Sequence, residues 1–233
     1  MAQDITDKVA KLLALAEGTD NPLEAEAFTA KAEELMLRHG IEMAEVAAKR
    51  PGTKAEEVVI VRIPVFNKMD TAQAQYGACV ASAFNIRGYH SKVMSGGFLI
   101  WLVGHKSDVD QAETLVRSLL IQSEHALNYW WRTEGQKTPS HLGAHVRKRE
   151  FMFAFGSGVR ERLSETKNRV VAESAPGTGL VLRDRTKVVD DWVGNNIEMS
   201  RTKARSLKGG DWSARQAGHA AGRDAVGTKK VSR

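Results

Sequence analysis

The chain has 233 residues, with 42% hydrophobic and 27% charged side chains. Those fractions are ordinary for a soluble globular protein, and the length allows one large domain or two small ones. The longest apolar stretch, Phe98 to Val103, is strand-sized, which excludes a helix that crosses a bilayer. A single cysteine, Cys79, excludes an intramolecular disulfide and leaves too few ligands for a cysteine-based zinc site. The start of the chain has no basic segment followed by an apolar one, so a cytoplasmic protein is expected.

Charge is unevenly spread. Residues 1–57 carry 12 acids against 7 bases, whereas residues 201–233 carry 9 bases against 2 acids. The net charge of +6 is therefore a basic tail on a milder body. Such a tail favours nucleic acid or an acidic protein surface.

In chain order, Ile5, Val9, Leu12, Leu13 and Ala16 share one face of a predicted helix from Asp4 to Glu17. Thr19-Asp20-Asn21-Pro22 supplies turn formers and an N-cap. The next predicted helix carries Phe28, Ala32, Leu35 and Met36 on one stripe and ends at Gly40, placed as a C-terminal cap. A short third helix is expected over Glu42–Ala48. Arg50-Pro51-Gly52-Thr53 reads as a linker.

Beyond the linker the pattern changes. Val58–Val65 is rich in β-branched residues and predicts a strand. Ala72–Phe84 predicts a helix. Arg87–Met94 and Phe98–Gly104, flanking Ser95-Gly96-Gly97, predict a hairpin. Ser107 or Asp108 can cap a long helix that reaches Trp131. Gly135–Ser140 is a polar loop, and a further helix runs over Leu142–Val171. Leu180–Arg183 reads as a strand, Val188–Val193 as a short helix and Trp212–Ala225 as a last helix. The expected fold class is α+β: a helical hairpin module over 1–50, then a small mixed or antiparallel sheet covered by long helices over 55–195. A basic tail with a short terminal helix completes the chain over 196–233.

Five stretches carry a family resemblance. Lys8-Val9-Ala10-Lys11-Leu12-Leu13-Ala14-Leu15-Ala16, Glu24-Ala25-Glu26-Ala27, and Lys31-Ala32-Glu33-Glu34-Leu35-Met36 closing on His39-Gly40-Ile41 resemble the signature of the domain of unknown function 2786. Val103-Gly104-His105-Lys106-Ser107-Asp108-Val109 and Ala217-Gly218-His219-Ala220-Ala221-Gly222-Arg223 look like the rest of that family, which is common in actinobacteria and their phages. In size and layout the chain is also similar to the recombination directionality factors of actinophage serine integrases. That resemblance implies a non-enzymatic phage protein of the bacterial host cell, without a cofactor, that binds an integrase on DNA and turns integration into excision.

The residues offer several candidate chemistries. His141 and His145 stand four apart, as two metal ligands on one helix face do, but no Glu lies between them in the zinc-protease pattern. His105, Asp108 and Asp110 could serve acid–base chemistry, or the acids could simply suit a helix start. A nucleophilic role for Cys79 needs a basic neighbour, and none is near in sequence. No catalytic, cofactor or metal residue is assigned. The second helix is acidic at Glu24, Glu26, Glu33 and Glu34, which would repel a DNA backbone, so the hairpin reads as a protein-docking element.

The protein-partner candidates are Leu13, Phe28, Leu35, Met36, Trp131 and Trp212. The phosphate-contact candidates are Arg201, Lys203, Arg205, Lys208, Arg215, Arg223, Lys229 and Lys230. Alternative functions are nonspecific DNA binding through the tail, and a metal-dependent hydrolase built on His105, Asp108, His141 or His145.

Overall fold

A computed structural model of the chain describes residues 2–19, 21–49, 56–198 and 210–223. Helices α1 (Ala2–Gly18) and α2 (Pro22–Ala48) form the expected hairpin. Val9, Leu13 and Ala16 of α1 are buried, as are Ala25, Ala32, Met36 and Leu37 of α2. Gly40 does not cap α2. The helix runs through it, and a Cβ added at Gly40 would lie at ordinary contact distance from the Gln111 and Asp108 side chains. Continuation buries Ile41 and Ala44 against Val170 and Leu182, and that burial outweighs the weak helix propensity of one glycine. The separate third helix is therefore the end of α2, and the Arg50–Thr53 linker lies outside the described residues.

Strands β1 (Val58–Val65), β2 (Arg87–Lys92) and β3 (Phe98–His105) form an antiparallel sheet in the order β1-β3-β2. The β2–β3 hairpin turns on Gly96 and Gly97, both at positive φ, a conformation glycine adopts without steric penalty. Directly paired residues share a face, so Ile63, Ile100 and Leu102 alternate with Arg62, Trp101 and Val103. The first set faces the main core. Val103 on the other face packs with Val189 and Val193. The helix expected over Ala72–Phe84 divides into α3 (Asp70–Gln73) and α4 (Tyr76–Ala81). Asn85 leaves this segment at φ 56°, in the left-handed region that Asn tolerates.

Helix α5 (Lys106–Trp130) runs along the sheet and ends in a π-helical turn, Trp131–Gly135. Neither Ser107 nor Asp108 caps it. The Ser107 N–H instead donates to the Glu56 carboxylate, which arrives from the chain before β1. Helix α6 (Ala144–Glu173) crosses the core with Phe151, Met152, Phe155 and Leu163 buried. The strand expected over Leu180–Arg183 is part of α7 (Thr178–Asn196). Leu182, Val189 and Val193 bury one face at helical spacing, and a short apolar run alone cannot separate helix from strand. Helix α8 (Trp212–Arg223) closes the structure.

The hairpin is fastened to the body by charge as well as by apolar packing. Glu33 is fully buried and paired with Arg162 of α6 at 2.6 Å, and Arg162 also donates to the Gly222 carbonyl of α8. Glu34 pairs with Arg38 at 2.9 Å. Two of the four acids that gave α2 its acidic character are thus taken up by internal pairs.

Candidate functional site

Helix α8 is held on α6 at three levels. At its start, Asp211 accepts the Ala214 N–H at 2.8 Å as a cap, and its carboxylate receives Arg147 of α6 at 2.7 Å. Arg147 also donates to the Gly135 carbonyl at 2.7 Å, which ties the π-helical turn into the same joint. Along its length, Ala214, Gly218, Ala221 and Gly222 are buried at spacings of three and four. A Cβ at Gly218 would overlap the Phe151 carbonyl, and one at Gly222 the Phe155 carbonyl, so the two backbones touch. At its end, Arg223 pairs with Glu161 and Glu165.

The opposite stripe of α8 carries Trp212, Arg215, Gln216 and His219. With Phe153 and Ser157 of α6 it lines an open groove of about 730 Å³. Trp212 is 77% exposed, on a helix start that the Asp211–Arg147 pair fixes in place. Arg215 is paired with buried Glu150 at 2.5 Å, and His219 meets Glu161 at 2.9 Å. The charges of Arg215 and Arg223 are therefore compensated within the molecule, which weakens both as phosphate contacts. Arg201, Lys203, Arg205, Lys208, Lys229 and Lys230 lie outside the described residues.

The other partner candidates are placed differently. Leu13 and Met36 are core residues, so the fold itself uses them. Phe28 and Leu35 are half-buried, and Leu35 packs against the core. Trp131 is half-buried, with the Lys148 ammonium 4.6 Å from its ring centroid and the Trp130 ring 5.8 Å away. Trp212 alone among the six is both large and mostly exposed. Sequence reasoning missed Phe153 and Gln216. The face of α8 opposite its small residues was the signal that could have found Gln216.

A second polar constellation sits at the β3–α5 junction. Asp108 is buried, and its carboxylate receives Arg185 of α7 at 2.7 Å. The same guanidinium reaches Glu56 at 2.6 Å and the Ser107 hydroxyl at 3.0 Å. His105 is buried with Nδ1 3.2 Å from the Glu56 carbonyl, a contact that makes Nδ1 the protonated nitrogen. Burial pushes the Asp108 carboxyl up, against the opposing pull of Arg185. One guanidinium shared by two carboxylates makes this a clasp holding α7 to the sheet and to α5.

The remaining candidates are dispersed. Asp110 is exposed and pairs with Lys106 at 2.6 Å. His141 and His145 are exposed, and among the described residues no group of three His, Cys, Asp or Glu side chains is placed to hold a metal ion. Cys79 is buried with Arg160 3.8 Å from its sulfur, and burial pushes its thiol up despite that cation.

Lys167 of α6 is partly buried, and burial brings its ammonium down to about 8. This is below the ordinary lysine value, so between the two the unfolded chain binds more protons and stability rises with pH. The native protein should therefore gain about 1–3 kcal/mol over Lys167→Met between about pH 7.5 and 10.5. Urea unfolding of both proteins across that range checks it; parallel pH profiles would contradict it.

Residues 4–43, which span most of α1 and α2, match the model of a family described as "Protein of unknown function (DUF2786)". No curated protein and no solved structure matches the chain.

Proposed function

We propose that the protein is a non-enzymatic docking factor that binds and modulates a protein–DNA machine, with the α6–α8 groove as its contact face. The observation that carries this reading is Trp212, exposed on a helix whose position is fixed by a buried ion pair and by backbone contact. An exposed aromatic on a rigid element loses little conformational freedom when it inserts into a partner, which is how interface hot spots act. In sequence, α8 stands between two basic stretches, 201–209 and 224–233. This favours a partner with an apolar pocket and an acidic rim, or one already bound to DNA.

The most concrete form of the reading is a recombination directionality factor for a serine integrase. Its support is the resemblance in size and layout together with the groove. It is tested by mixing the purified protein with the serine integrase of the same genome and DNA carrying attL and attR sites. Excision that depends on the protein is the expected result.

A further inference from the structure

Among the described residues Lys167 makes no ion pair, and the carboxylate that acts on it from a distance, Asp108, is itself paired with Arg185. Lys167 points to the corner between α4 and β2, where Nζ donates to the Ser82 carbonyl at 2.6 Å and to the Asn85 side-chain oxygen at 2.8 Å. Both acceptors are neutral. Asn85 is itself buried, and its left-handed backbone places it at this corner. An ammonium has three N–H donors, so one remains for another group.

Lys167 and Asn85 line an open groove of about 550 Å³ between α6 and α7. Arg183 and Lys187, one turn apart on α7, line it as well, and both are exposed. Neither makes an ion pair among the described residues. The one acid in the lining, Asp190, is engaged by two nitrogens of Arg87, each at 2.6 Å. Three cations therefore share one groove with a carboxylate that is already neutralised.

A sheltered cation without a directly paired carboxylate is unfavourable, and the imbalance is relieved by an anion that brings both charge and hydrogen-bond acceptors. We propose that the groove between α6 and α7 is a binding site for a terminal phosphate group, with Lys167 at its floor and Arg183 and Lys187 at its rim. The side-chain amide of Asn168, also in the lining, supplies a neutral donor. A compact groove with one sheltered ammonium suits a phosphate monoester or a pyrophosphate, whereas a continuous strand of phosphodiesters calls for an extended basic track.

The site is independent of the docking reading, because Trp212 lies on a different groove. The test is calorimetric titration of the full chain with inorganic pyrophosphate, repeated with a short oligonucleotide that lacks terminal phosphates. Saturable pyrophosphate binding is expected, with at least a tenfold loss of affinity in Lys167→Met. Arg183→Gln combined with Lys187→Gln, both at exposed positions, should lose about fivefold while keeping the native circular dichroism. Absence of saturable binding, or equal binding by the rim variant, overturns the proposal. Equally tight binding of the oligonucleotide through the same three cations overturns the assignment to a terminal phosphate.

Discussion

Arg147→Ala lowers the free energy of unfolding by about 3–5 kcal/mol, the range for breaking a buried ion pair from one side. Arg147 and Asp211 are each only 6% exposed, and their contact is 2.7 Å. Removing the guanidinium leaves the Asp211 carboxylate with the Ala214 N–H and the Ser140 side chain as its remaining partners. The Gly135 carbonyl loses its donor as well. Three elements meet at this one side chain: the π-helical turn, α6 and the start of α8. The loss should therefore appear as early release of α8, with Trp212 fluorescence changing before the main transition in urea. Asp211→Asn, which keeps a capping oxygen, should be milder than Arg147→Ala.

Gly222→Ala combined with Gly218→Ala should displace α8 altogether. Each added methyl meets a backbone carbonyl of α6, which cannot rotate away as a flexible side chain would. Overpacking costs about 1–3 kcal/mol per site, and both sites fall on one contact line. Separation of the helices would uncover Ala214 and Ala221 together with the α6 surface around Phe151 and Phe155. Limited proteolysis should then cut within α8 in the variant and spare it in the native protein. An unchanged cleavage pattern and transition midpoint would mean that the two backbones are not in contact.

Much of this architecture is legible along the chain. The β-branched run of β1, the double glycine of the β2–β3 turn and the long apolar stripe of α5 are local signals, and the structure follows them. The departures come from distant partners. Gly40 has the form of a helix cap, yet Ile41 and Ala44 gain more by burial against α6 and α7 than the helix loses at one glycine. Asp108 has the form of a cap and first-turn acid, yet its carboxylate is bound by Arg185, 77 positions later. Leu180–Arg183 is too short for its periodicity to decide between strand and helix, and Leu182 joins the α7 stripe.

The candidate site was half visible for the same reason. The small residues of α8 are local in sequence, whereas the exposure of Trp212 is shown by the structure. The neutralisation of Arg215 is not local either, because its partner Glu150 is 65 positions away in sequence. Glu33 reads as a solvent-facing acid and is a fully buried partner of Arg162. The hairpin therefore serves as part of the body's core to a greater degree than its isolated pattern indicates, and the proposed docking face lies at the other end of the chain.

The docking account is tested most directly by attL × attR recombination with the serine integrase of the same genome, in the presence of native protein or of Trp212→Ala. The native protein should turn the integrase to excision. The variant should retain its fold, since Trp212 is mostly exposed, and lose about thirtyfold in integrase affinity, the equivalent of about 2 kcal/mol at a hot spot. A native protein that neither binds the integrase nor alters the direction of recombination would contradict the account, and so would a Trp212→Ala protein that drives excision as well as the native one.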